Sequence, residues 1–368
     1  MDIFEHILSS RNNMNVVLKQ RKRLDYLDIS KAFLIISVVL CHSPFENAYY
    51  LYWFHMPAFF IISGMLYKRG MNIKEQAIKF FVPYAIFSLI DINFNYIMYY
   101  HGNFSLSDLI HEIIKYSYGG KATWGVFWFI PVMFVTKVVF DQLNKRLTSK
   151  KLAFLCILSY ILAHIYSMSF IPSSVTEITE NQFVFWNLDA VLITLPYYAL
   201  GYYITKLNIQ RVFKETSTLI LSSIGVVAMF ILNSSMGIGY YLNIKYSYYK
   251  DPIFDILMPV TITIFIISLS YQISKFKCKK LFTIIGANSL VIMYLHKQIA
   301  TLFMDVFNYG YIMFTIIGVC LPLLMMVLIN KSIVSKFLFN GDLTFYRKIK
   351  DIKDIEPKDI ICLLYTSP

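Results

Sequence analysis

The segment KAFLIISVVLCH, residues 31–42, opens on a lysine, closes on a histidine and is apolar in between except for one serine. If it is a helix, eleven residues put Lys31 and His42 about 20° apart around the axis and about 16 Å apart along it. Both proton-active side chains then share one face, and Asp28 lies near that face. A basic RKR at 21–23 stands just before the run. Two questions follow: where such a helix sits, and what a cation at one end and an imidazole at the other would do.

Composition answers the first. Of 368 residues, 57% are hydrophobic and only 15% are charged, against about 25% in soluble domains. A chain this apolar and this long reads as an all-α polytopic membrane protein. A net charge of +12 would suit nucleic acid, but the charges fall in short clusters between apolar segments, so no nucleic-acid partner is expected.

A bilayer crossing takes about 20 apolar residues. Ten segments meet that requirement: 27–44, 51–67, 79–100, 124–141, 152–170, 186–205, 216–235, 253–273, 284–304 and 310–330. None alternates as a barrel strand would. With the N-terminus in the cytoplasm, 28 of the 34 Lys and Arg fall in cytoplasmic segments. Only Lys115, Lys121, Lys245 and Lys250 fall outside, and Lys137 and Lys297 fall within spans. That bias gives cytoplasmic termini and an even number of spans. The expected organisation is a cytoplasmic basic N-terminus (1–26), a ten-helix membrane domain (27–330) and a cytoplasmic tail (331–368).

The N-terminus lacks the apolar core and cleavage site of a signal peptide. The five cysteines are scattered, with no disulfide framework and no metal-type pair, so no metal is expected. In the longest outer loop, Leu106, Leu109, Ile110, Ile113 and Ile114 of LSDLIHEIIKY recur at helical spacing, which predicts a short amphipathic helix on the outer surface. The terminal CLLYTSP, residues 362–368, looks foreign to the rest and receives no functional weight.

Ionisable groups within a membrane are costly and usually face a cavity or a partner. Taken singly, Lys31 reads as paired with Asp28 or snorkelling, and His42 as bonded to a neighbouring helix. Two more histidines reach a similar depth. His55 lies in LYWFHMPAFFIISG (51–64), where Pro57 is expected to remove a helix bond and free a carbonyl. His296 lies in GANSLVIMYLHKQ (286–298), with Ser289 on its face. Trp124 and Trp128 open the fourth span, as interfacial tryptophans commonly do. Asp91, His164, Asp189 and Asp255 show no pattern and read as structural. An imidazole cluster suits general-base work. A cation at the inner mouth suits a phosphate-bearing ligand from the cytoplasm. Together they point to group transfer across the membrane. A polysaccharide or small-molecule transporter or flippase is the alternative, although the sequence lacks the repeated halves with broken spans common in transporters.

At these residues the chain resembles the acyltransferase-3 family of bacterial membrane O-acyltransferases. The resemblance rests on RLDYLDISKAFLIISVVLCH (23–42), with a basic residue, ten others and then histidine. It also rests on FHMPAFFIISG (54–64), which is similar to the subgroup of fucose 4-O-acetylases and of the poly-N-acetylglucosamine modification protein. WFIPVMF (128–134), LPYYALGYYI (195–204) and IGANSLVIMYLH (285–296) also resemble family segments, so the likeness runs from about 23 to 330. Many members carry Arg where this chain has Lys31, which keeps the charge but loses the bidentate fork.

The resemblance implies an acyl-coenzyme A donor, usually acetyl-CoA, with a sugar hydroxyl of an envelope or exported polysaccharide as acceptor. It further implies an essential His42 and a place in the bacterial cytoplasmic (inner) membrane. On this reading His42, His55 and His296 are the catalytic candidates, with Lys31 and Asp28 at the donor's phosphates. Partners are the lipid bilayer, the glycan acceptor and polysaccharide synthesis or export machinery. His42 either deprotonates the hydroxyl or carries the acyl group, while His55 or His296 orients the acceptor or acts as a second base.

Overall fold

The computed structural model describes residues 24–98, 105–123 and 125–353. The RKR at 21–23, Trp124 and CLLYTSP lie outside them. Among the described residues the regular structure is helical, apart from one isolated bridge between Asn243 and Tyr248. The helices are α1 (Asp25–Cys41), α2 (His55–Met65), α3 (Ile73–Met98), α4 (Leu106–Tyr118), α5 (Phe129–Arg146), α6 (Ser149–Phe170), α7 (Val191–Lys206) and α8 (Thr216–Ser235). They continue as α9 (Phe254–Ile273), α10 (Lys279–Ala287), α11 (Ser289–Phe307), α12 (Tyr311–Ile329), α13 (Ile333–Asn340) and α14 (Thr344–Lys353).

Each of the ten apolar segments carries a helix. Five are long and apolar enough to cross a membrane: Ile73–Ile97, Ser149–Phe170, Thr216–Ser235, Phe254–Ile273 and Tyr311–Ile329. On α6 and α8 the apolar side chains of Phe154, Ile157, Ile161, Leu221, Ile224 and Val227 stand exposed, as a lipid-facing surface requires. The chain is a membrane protein.

The KAFLIISVVLCH run is buried over most of its circumference, with Phe33, Ile36, Ser37 and Leu40 forming one half-buried stripe. Its helix α1 is a central strut packed against α2, α9, α10, α11 and α12. Ile29, Ala32, Leu34, Ile35 and Val39 are wholly buried, and a helix apolar all round is a buried one. Two crossings explain its neighbours. A Cβ on Gly64 of α2 would lie 1.9 Å from Tyr198 O, and one on Gly201 of α7 would lie 1.8 Å from Ile61 O. Only glycine lets these two backbones touch, which gives Ser-Gly and Leu-Gly their place in the sequence. Gly286, near the end of α10, meets α1 in the same way, its Cβ position 1.7 Å from Asp28 O.

Two expectations change in detail. The second apolar segment forms a helix of 11 residues, about 16 Å long and half of a bilayer core of about 30 Å. It follows a one-turn helix, Tyr49–Tyr52. Pro57 is its third residue, in the first turn, where an N–H has no helical partner in any case; there is no mid-span break. The segment at 284–304 is also divided, with Asn288 between α10 and α11.

The segments at the His42 end of α1 form a polar cap. Helix α4 starts with a capping box between Ser105 and Asp108. It buries Glu112 and Tyr116 and exposes Leu106, Ile110, Ile113 and Ile114, so its polar face turns inward. Lys121 and Asp189 form a buried ion pair, and Ser247 Oγ donates to the same carboxylate at 2.5 Å. Asp255 accepts from Tyr240 Oη (2.8 Å) and the Asp251 N–H (3.1 Å), and its carboxyl lies 3.1 Å from His164 Nε2. These are fixing contacts, in keeping with the structural reading of Asp189, His164 and Asp255. On the opposite side, α13 and α14 fold back on α3: Arg347 grips both oxygens of Glu75, and Gly341 lies against the Lys79 carbonyl.

Candidate active site

The three sequence-predicted histidines converge. Cys41 ends α1 and His42 is its C-cap. His55 begins α2, and His296 comes from the middle of α11. The rings of His42 and His296 lie 5.1 Å apart, centre to centre, inclined by 37°. His55 and His296 are buried.

Their tautomers follow from their partners. His55 Nδ1 bonds to the Leu51 carbonyl of the preceding turn. His296 Nδ1 lies 2.8 Å from Met293 O and 3.0 Å from Ile292 O. A carbonyl only accepts, so Nδ1 carries the hydrogen in both rings and Nε2 carries the lone pair. In His296 that Nε2 is buried and has no hydrogen-bond partner among the described residues. A buried acceptor left unpaired costs free energy.

His42 and His55 line a cavity of about 230 Å³ together with Cys41, Tyr52, Trp128 and Lys245. Lys245 sits in the loop between α8 and α9. Its Nζ donates to Thr123 O at 2.8 Å, and its carbonyl accepts from Asn187 Nδ2 at 2.6 Å. Desolvation pushes its ammonium down to about 7, with Lys297 and Lys115 adding repulsion. A second cavity of about 450 Å³, bordered by α3, α4 and α11, shares Gly125, Val126, Met293 and Lys297 with the first and includes His296 in its wall.

The other end of α1 holds the remaining candidates. Lys31 Nζ pairs with Asp28 Oδ1 at 2.7 Å, so Asp28 braces the lysine. Lys79 of α3 lies within Coulomb range of Lys31, and Lys137 of α5 within range of Lys79. Three helices thus bring three cations to this end of α1, and Lys31 lies about 16 Å from His42 along the axis. Ser289 is the first residue of α11 and lines neither cavity, whereas Trp128 lines the smaller one.

Sequence reasoning did not assign Lys245, Lys79, Lys137 or Asp91 to the site. For Lys245 the one available signal was rarity, since it is among only four cations expected outside. Asp91 read as a lone structural residue. It lines the larger cavity, where it accepts from Tyr116 Oη and Gln298 Nε2.

A family model described as an acyltransferase domain matches residues 24–331. Searches of the curated proteins and of the solved structures each returned no match. The matched range runs from the start of α1 past the end of α12 and contains all three histidines. The chain belongs to the acyltransferase-3 family and is a membrane acyltransferase.

Proposed function

We propose that the protein moves an acyl group, acetyl by preference, from cytoplasmic acyl-CoA to a hydroxyl of an envelope or exported polysaccharide, working in the bacterial cytoplasmic membrane with both termini inside and ten crossings. The observation that carries the reading is the contact between His42 and His296, with an unpartnered Nε2 on the latter.

The donor's phosphates rest at Lys31, Lys79 and Lys137, and the pantetheine arm runs along α1 to the thioester at the smaller cavity. His296 Nε2 takes the acceptor's hydroxyl proton as its oxygen attacks the thioester carbonyl. Lys245 faces the oxyanion that develops there, the charge such a cation stabilises best in a dry site. As the C–S bond breaks, the proton passes from His296 to His42 and on to the departing sulfur, so both imidazoles end neutral. His55, held by Leu51, shapes the wall beside them.

The test is acetyl transfer from radiolabelled acetyl-CoA to envelope polysaccharide by the purified protein. Label in the polysaccharide, lost with His42→Ala, supports the reading; movement of polysaccharide across vesicles without any acyl donor would support a transporter instead.

A further inference from the structure

Resting on that reading, the larger cavity carries information about the acceptor. Its walls include two carboxylates, Asp91 and Glu112, and two ammonium groups, Lys115 and Lys297. These charges are matched. Lys115 Nζ lies 3.1 Å from Glu112 Oε1, and Lys297 feels the Asp91 carboxylate. Lys245, which has no carboxylate partner among the described residues, belongs to the smaller cavity, where charge develops in the proposed reaction.

The groups left wanting a partner in the larger cavity are neutral. Tyr294 Oη, His296 Nε2 and Gln298 Oε1 are all buried and all without a hydrogen-bond partner among the described residues. All three stand on one stretch of α11, and all three residues line this cavity. Buried polar atoms are nearly always paired, so three orphans in one wall call for a ligand. Gln298 Nε2 is committed to Asp91 Oδ1. That fixes the amide and leaves Oε1 to accept a hydroxyl hydrogen, while Tyr294 Oη can donate one. Phe94 and Phe127 supply apolar surface, which suits the C–H faces of a ring.

We infer that this cavity binds the acceptor as an uncharged sugar ring, with Tyr294 and Gln298 holding hydroxyls beside the one presented to His296. Among the described residues the wall carries two carboxylates and two ammonium groups, so the carboxylate of an anionic sugar would add an unmatched negative charge to a buried site.

The test uses acetyl-CoA and a panel of methyl glycosides of glucose, galactose, mannose, fucose and N-acetylglucosamine, with methyl glucuronide and methyl galacturonide as anionic counterparts. Tyr294→Phe removes one unpaired hydroxyl and nothing else, so folding is preserved; Gln298→Leu is the second variant. The expected result is transfer to at least one neutral glycoside and poor use of its uronide. Each variant raises the KM for that glycoside about tenfold, with the KM for acetyl-CoA moved far less. Wild-type transfer that favours a uronide, or that both variants carry out with an unchanged acceptor KM, overturns the inference and leaves acyl transfer standing. Wild-type transfer to no carbohydrate at all overturns the sugar-acceptor reading and this inference with it.

Discussion

The imidazole of His296 faces that of His42 at 5.1 Å, across two helices whose residues lie more than 250 positions apart in the chain. His296 is fixed from behind by the carbonyls of Ile292 and Met293. The role proposed for the pair is a proton relay, and a relay has a kinetic signature. His42→Ala and His296→Ala should each lower kcat by about 10²–10⁴. The double variant should lose little more than either alone, because groups acting as one unit are not additive. Additive losses in steady-state transfer would count against a shared proton path.

Lys245 gives the pH dependence. Its ammonium is pushed down to about 7 by burial, so its charge is present below about pH 7 and lost above. If that charge stabilises the oxyanion, its contribution to kcat falls as pH rises through 7, and Lys245→Met should abolish this limb while lowering kcat about a hundredfold. The stability sign is the reverse. Unfolded, lysine holds its proton to about 10.4; between about 7 and 10.4 the unfolded state therefore binds more protons, and stability attributable to this group rises with pH. Below pH 7 the desolvation cost is fully present, so Lys245→Met should unfold at a higher temperature than wild type at pH 6.

The lysines at the Lys31 end of α1 are tested by trimming the proposed donor. Lys79→Met and Lys137→Met should each raise the KM for acetyl-CoA about tenfold, the loss of a charge-assisted contact to phosphate. S-acetylpantetheine, which carries no phosphate, should show no such change. An equal effect on both donors would mean that these lysines shape the fold and not the phosphate site.

The glycine crossing is a stability prediction. Gly64→Ala puts a carbon 1.9 Å from the Tyr198 carbonyl, whereas Gly310→Ala meets nothing within 4 Å. The first should cost about 1–3 kcal/mol or more by overpacking and the second almost nothing. Melting in detergent by intrinsic fluorescence separates them.

These residues also show what the sequence makes legible. His42, His55 and His296 stand out because an imidazole in an apolar run has to be accounted for, and the ten apolar runs follow from bilayer thickness alone. The shortness of α2 does not show, because an apolar stretch reads the same whether its first residues are helix or a turn packed under the polar cap. Nor does the central place of α1 show: apolar on every side, it carries no stripe to say what it packs on. Lys245 and Asp91 escape for another reason. Lys245 is brought in by contacts with Thr123 and Asn187 and Asp91 by contacts with Tyr116 and Gln298. No local pattern encodes distances across 25 to 207 residues.

The most direct measurement is release of free coenzyme A by the purified protein given acetyl-CoA, wild type beside His42→Ala, each with and without envelope polysaccharide. The account predicts release that requires both His42 and the polysaccharide. Equal release by His42→Ala, or none from wild type with any polysaccharide tried, would contradict it.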